Sequence, residues 1–416
     1  MTARLAKITE RLLVGAIALA FFLPLPLAIV GNNKNHFRKL PLLRHPWLSN
    51  RTLKGVTIAA PDVHFSWQAL AAGDFQRSKA ARFNEGFPGR EALIRWTNEA
   101  WFRLFHETAS PTSTILVGPN DRLFEKGYLH EYFLERTEKT ALVPWVQDLR
   151  RLQDFCRQTG IGFIVLISPS KVAMSPDDTP EAWRRRHDPR PRAYVQLVEL
   201  FRENEILFVD APALLAAERA AHPPPAPFFP KGGIHWNSRA VSLVANTILT
   251  QLREQGQPGE PLIFLNSTLS DQPKGQDQDL VQLMNLARPL SYPCEELSFQ
   301  RRDQTKAAQR TMAVIGGSFC VELIRLLSAS GPFCEISHHF YYRLSKNRAV
   351  DGQLTPVRSL GAPQDFAREI FGADCLLLEI NEAVVPQTDH HLAVFLRDAL
   401  AHLPDPSAAR PPFRSD

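Results

Sequence analysis

From about residue 140 the apolar positions fall into two alternating rhythms. Trp145, Leu149, Leu152 and Cys156 recur at i, i+4, i+7 and i+11, which puts them on one face of a helix. Gly162–Ser168 (GFIVLIS) is then apolar without a break, the pattern of a strand covered on both faces. The alternation continues with a helix over 191–204, a strand over Ile206–Asp210, and a helix from Asn237 with Val241, Val244, Ile248 and Leu252 on one side. After a polar stretch come a strand over Met312–Gly316, a helix over 319–328, strands over Glu335–Arg343 and Cys375–Ile380, and a helix carrying Leu392, Leu396 and Leu400. This order predicts an α/β domain over 140–404, with a mostly parallel sheet and helices on both faces. Its ligand site is expected beyond the carboxyl ends of the strands, where Ser318, Ser170-Lys171 and Asn381 fall.

The front of the chain has a different pattern. Leu12–Gly31 is a run of 20 residues without a charge, long enough as a helix to cross the ~30 Å hydrocarbon core. Ala18-Leu19-Ala20 resembles a signal-peptidase site, but the apolar run before it is short for a cleaved signal. Residues 1–33 are therefore expected to be an uncleaved anchor. Arg4, Lys7 and Arg11 precede the run, and Lys34, Arg38, Lys39 and Arg44 follow it, so charge does not fix the orientation. A short cytoplasmic tail with the body in the periplasm is the expected arrangement, making this a single-pass inner-membrane protein. Residues 34–139 read as a membrane-proximal linker, with short strands over 32–75, followed by the first part of the body. A helix is expected after Arg90 and a hairpin around the turn in Val117–Phe124. The Pro/Arg/Ser-rich tail 405–416 is expected to be disordered.

Composition narrows the choice only a little. The 48 Lys+Arg exceed the 43 Asp+Glu by a formal +5, without a basic run, zinc-finger spacing or RNP pattern, so a nucleic-acid partner is not expected. Five scattered cysteines make no C-x-x-C pair and no disulfide framework, and Cys320 reads as a small buried residue. His338-His339 and Asp389-His390-His391 lack a partner at metal-site spacing, so no metal and no cofactor is expected.

Two short stretches carry the chemistry. Val314-Ile315-Gly316-Gly317-Ser318-Phe319 reads as a buried strand, two glycines, a serine and a helix start. Such a turn lifts a hydroxyl above the sheet and points a helix N-terminus at it, where N–H groups could stabilise an oxyanion. The bland reading of Ser318 is a helix N-cap. Gly233-Ile234-His235-Trp236-Asn237 supplies a histidine that could act as base, or could simply be packed, with Asn237 capping the next helix. Catalysis would then rest on Ser318 and His235, with Gly317 and Trp236 lining the substrate or oxyanion position.

Six stretches in order resemble the SGNH-type alginate O-acetyltransferase family over roughly residues 80–400. They are Phe83-Asn84 through Arg90, Val117–Phe124 with Arg122 where tryptophan is usual, Ser168-Pro169-Ser170-Lys171, Gly233–Asn237, Asp279-Leu280 with Leu283, and Gly316–Phe319. The resemblance implies an SGNH-hydrolase-like, flavodoxin-like fold and the transfer of acetyl groups to an exopolysaccharide through an acetyl-serine. It assigns the nucleophile to Ser318 and the base to His235. It also implies a polysaccharide acceptor and a polytopic membrane O-acyltransferase as acetyl supplier. The family's two signature aspartates fall on Gly233 and Gly317, so a Ser–His dyad without a triad aspartate is expected. Glu379 or Glu382 could substitute, and Gly233→Asp is expected to raise activity. The alternative is a non-catalytic member of the fold that binds glycan or docks onto the acyltransferase.

Overall fold

The computed structural model describes residues 53–55, 63–86, 90–303, 310–357, 363–385 and 391–405. The apolar segment Leu12–Gly31 and residues 406–416 lie outside this set. Among the described residues no helix is long and apolar enough to cross a membrane. The chain divides into two compact units, Met1–Ser113 with Val281–Pro289, and Thr114–Leu280 with Leu290–Asp416.

The first unit contains helices α1 (Trp67–Ala71), α2 (Asp74–Gly86) and α3 (Arg90–Phe105). Short strands were expected over 32–75, but its described part holds α1, because the Ser66 hydroxyl caps that helix by accepting from the Ala69 N–H. The excursion 281–289 is tied in through Asn285, whose side chain pairs with both backbone groups of Lys54 at 2.8 and 3.0 Å. Asn98 adds a bond to the Met284 carbonyl at 2.7 Å.

The second unit begins with a hairpin, β1 (Ile115–Val117) antiparallel to β2 (Leu123–Glu125), turned by Pro119–Asp121. Helices α4 (Lys126–Phe133) and α5 (Lys139–Gln158) follow, then β3 (Gly162–Ser168), α6 (Lys171–Met174), α7 (Glu181–Arg184), α8 (Ala193–Glu203), β4 (Phe208–Asp210), α9 (Ala211–Ala221) and α10 (Ser238–Glu254). Next come β5 (Phe264–Ser270), α11 (Asp279–Met284), which belongs to this unit only through Asp279 and Leu280, then β6 (Cys294–Phe299), β7 (Arg310–Gly316), α12 (Cys320–Ser330) and β8 (Phe333–Phe340). The chain ends with β9 (Ser345–Val350), β10 (Gln353–Val357), α13 (Pro363–Gly372), β11 (Cys375–Asn381) and α14 (His391–Ala401).

Seven strands form one mixed sheet in the order β10-β9-β8-β7-β11-β3-β4. From β8 to β4 neighbouring strands are parallel, while β9 and β10 run antiparallel at one edge. One apolar cluster, with residues of α5, α8, α13 and α14, covers one face, and another, with residues of α9, α10 and α12, covers the other. Both faces being covered explains why β3, β7 and β11 are buried along nearly their whole length and carry unbroken apolar runs rather than an alternating pattern. The last strand, β11, inserts between β7 and β3. Its carboxyl end therefore meets Gly316 on one side and Ser168 on the other, and this strand edge holds the site.

Candidate active site

Ser318 lies two residues past the end of β7, one residue before the N-cap of α12. It is not itself the cap; Phe319 holds that position without a side-chain cap bond. The first amides of the turn are already engaged, Cys320 N–H with the Gly317 carbonyl and Val321 N–H with the Ser318 carbonyl, both at 3.2 Å.

The Ser318 hydroxyl is 2.9 Å from His235 Nε2. His235 Nδ1 is 2.6 Å from Asp279 Oδ2. A carboxylate can only accept, so Nδ1 carries the ring proton and Nε2 is left as acceptor for the serine O–H. Asp279 is fixed in turn, because its Oδ1 accepts from the Ile234 N–H at 2.8 Å and from its neighbour Leu280 N–H at 2.7 Å. Serine, histidine and aspartate thus form one hydrogen-bonded line, the relation a nucleophile, base and orienting acid require.

This corrects the expectation of a dyad without a carboxylate. The acid comes from Asp279 at the start of α11, not from position 233. Glu379 and Glu382, the other substitutes considered, are engaged elsewhere. The reason for the exchange is steric. A Cβ on Gly233 would lie 2.6 Å from the Gln276 carbonyl oxygen and 2.9 Å from that of Asp277. The bare backbone at 233 lets the turn Gly275–Gln278 pass close by, and that turn delivers Asp279. The expectation that Gly233→Asp raises activity is therefore reversed.

Lys171 holds the histidine loop from below. Its ammonium donates to the carbonyls of Pro230, Lys231 and Gly233 at 2.7, 2.8 and 2.7 Å. Burial pushes its pKa well down, yet three acceptors match the three N–H donors of the charged form. From the other side the hairpin steadies the loop, with Leu123 N–H on the Lys231 carbonyl and Arg122 on that of Phe229.

Trp236 does not line the substrate position. It is 2% exposed, and its indole N–H donates to the Phe319 carbonyl at 3.1 Å. Its role is to tie the histidine loop to the serine turn. Nor is Gly317 an open oxyanion donor: its N–H is given to Glu379 Oε2 at 2.7 Å. Glu379 is buried beneath the serine turn and also accepts from the Ser168 hydroxyl. Burial raises its pKa, against which the bonds from Gly317 and Ser168 work. Glu382 accepts from Ser170 and pairs with Arg192.

Two further groups at this end carry no motif. The carboxyl of Glu125, at the end of β2, has its pKa raised by burial and by the nearby charge of Asp279, with His235 opposing. The Tyr341 hydroxyl faces Ser318 from the turn after β8. His338 and His339 are buried within β8 itself. Among the described residues His130, Glu131 and Glu135 could hold a metal ion, their ligand atoms lying within 4.8 Å of one another at the surface of α4 and its exit.

Residues 115–321 match the family model of the SGNH hydrolase-like domain of acetyltransferase AlgX. This stretch is an AlgX-type SGNH hydrolase-like domain. It spans the hairpin, His235, Asp279 and Ser318. No curated protein matches the chain by sequence. Among solved structures, the chain is similar to the O-acetyltransferase domain of Pseudomonas putida AlgJ, at 15% identity over 65% of this chain and 92% of that one, with a TM-score of 0.43. Pseudomonas aeruginosa AlgX is similar at 14% identity over 73% of this chain and 70% of that one, with a TM-score of 0.39. Bacillus cereus PatB1 is similar at 10% identity over 66% of this chain and 99% of that one, with a TM-score of 0.43.

Proposed function

We propose that the chain is an O-acetyltransferase that passes an acetyl group through Ser318 to a hydroxyl of an exopolysaccharide. The line of hydrogen bonds from Ser318 through His235 to Asp279, at the serine of an AlgX-type domain, carries this reading. Ser318 Oγ attacks the acetyl carbonyl as its proton moves to His235 Nε2. The proton then passes to the donor's leaving oxygen, giving acetyl-Ser318. A sugar hydroxyl attacks that ester with His235 again as base, and the serine is released with its proton restored. Asp279 keeps the imidazole in the tautomer both steps need. Leu12–Gly31 tethers the body to the inner membrane on its periplasmic side, where a polytopic membrane O-acyltransferase supplies the acetyl group.

One feature favours the second reading, a non-catalytic docking or glycan-binding member: the Gly317 N–H is occupied by Glu379. Comparing strains separates the two. With Ser318→Ala, glycan acetate should fall as far as in the deletion strain while the protein stays folded and membrane-bound. Loss only in the deletion strain rules out catalysis and leaves the docking role.

A further inference from the structure

The Gly317 N–H is taken, so the negative charge that develops on the acetyl oxygen needs another donor beside Ser318. The void left by the missing side chain at 317 shows where it is. A Cβ on Gly317 would meet Tyr341 at 2.9 Å from Cε1, 3.0 Å from Cζ and 3.0 Å from the hydroxyl oxygen. The tyrosine ring therefore fills the space beside the glycine. Its hydroxyl lies against Ser318, interacting with both the serine side chain and its backbone.

The backbone of Tyr341 is specialised for this placement. Tyr341 and Tyr342 have consecutive left-handed torsions, with φ of 43° and 62°. Residues with a Cβ seldom adopt that region, and such strain persists only where the surroundings enforce it. Here the Tyr341 N–H donates to the Gly316 carbonyl at 3.0 Å and the Tyr342 N–H to that of His339 at 3.1 Å. The Tyr342 hydroxyl is anchored on Asp398 at 2.9 Å. The Tyr341 ring packs edge-on against Phe340 at 4.5 Å and His391 at 5.0 Å. It remains 38% exposed, open to a molecule reaching Ser318. Burial raises its pKa, so the phenol keeps its proton at neutral pH.

We propose that the Tyr341 hydroxyl is a catalytic residue, the side-chain oxyanion donor of this site. The inference rests on Ser318 being the nucleophile. As the bond from Ser318 Oγ to the acetyl carbon forms, the serine proton goes to His235 Nε2 and the carbonyl π pair moves onto oxygen. Tyr341 donates a hydrogen bond to that oxyanion and keeps its own proton. When the carbonyl re-forms, the leaving oxygen takes the proton from His235 and the Tyr341 bond weakens. A donor used chiefly in the tetrahedral state raises kcat rather than affinity.

The test uses the full-length protein with p-nitrophenyl acetate as donor, and methylboronic acid as a mimic of the tetrahedral state. Tyr341→Phe keeps the ring that fills the space beside Gly317 and removes only the donor. We expect kcat to fall about 10²–10³-fold with KM nearly unchanged, the loss typical of removing one oxyanion donor. Methylboronic acid should bind the variant more weakly by a similar factor, whereas a merely packing role would leave both unchanged. Wild-type kcat and boronate affinity in Tyr341→Phe overturn the assignment. Absence of acetyl on Ser318 in the wild type, or full activity in Ser318→Ala, overturns instead the reading on which it rests.

Discussion

Replacing Asp279 with asparagine probes the acid of the site with almost no change of shape. Asp279 Oδ1 holds the Ile234 and Leu280 N–H groups, and an asparagine oxygen can keep both bonds. The change falls on Oδ2, which accepts from His235 Nδ1 at 2.6 Å. An amide N–H there is a donor and forces Nδ1 to become the acceptor. The ring proton moves to Nε2, the atom 2.9 Å from the Ser318 hydroxyl, and the base can no longer take the serine proton. In the serine-protease template this tautomer error costs about 10⁴ in kcat. That is about 5 kcal/mol of transition-state stabilisation. We expect Asp279→Asn to lower the rate of Ser318 acetylation by p-nitrophenyl acetate about 10⁴-fold, read by stopped-flow absorbance and intact mass. Thermal unfolding should change little. If the variant acetylates within tenfold of wild type while Ser318→Ala is inert, Asp279 does not orient the histidine.

Two more outcomes follow from geometry and burial. Gly233→Asp should lose activity and melt earlier, because its Cβ would lie 2.6 Å from the Gln276 carbonyl and must displace the turn carrying Asp279; overpacking of this kind costs about 1–3 kcal/mol, and a rise in activity would refute the account. His338 and His339 have their pKa values pushed down by burial from 6.5 to about 4 and about 3, so both are neutral in the fold. Their stability contribution is complete above pH 6.5 and is lost as pH falls through the folded values, for His338 alone roughly 3 kcal/mol by pH 4. Urea unfolding at pH 7 and pH 4.5 should show the loss, and His338→Leu should reduce it; an unchanged pH dependence in that variant would count against the burial argument.

The alternating pattern made the α/β sheet legible, because strands covered on both faces are apolar throughout and read as unbroken runs. The strands outside the parallel core leave a weak trace for the opposite reason. β5 (FLNSTLS) is largely exposed on both sides and offers neither an apolar run nor alternation. β9 (SKNRAV) is mostly polar and β10 (QLTPV) short, mixed and broken by a proline, both at the sheet margin. Ser318 and His235 were found through the turn and loop around them. Asp279 was seen only as part of an Asp-Leu pattern, because nothing local says that a carboxylate 44 residues from the histidine meets its ring. Gly233 and Gly317 looked like losses when read alone. Their meaning lies in what approaches them, the Gln276–Asp277 backbone at one and the Tyr341 ring at the other. Trp236 and Gly317 read as substrate-lining in the sequence because a residue next to a candidate base or nucleophile looks available, and hydrogen-bond partners such as the Phe319 carbonyl and Glu379 leave no local trace.

The approach of Gly275–Gln278 to Gly233 has a consequence for how the site comes into being. When acid and base lie two residues apart, one loop carries both, and they meet as soon as that loop closes. In this chain they arrive on separate segments, with α10 and β5 between them. The pairing of aspartate and histidine depends on where those elements sit. A single peptide-bond cut near Lys274 could leave Ser318 and His235 in register and still silence the pair. Acetylation of Ser318 would then report, in one number, whether the long excursion from Ser238 to Gln278 has been threaded home.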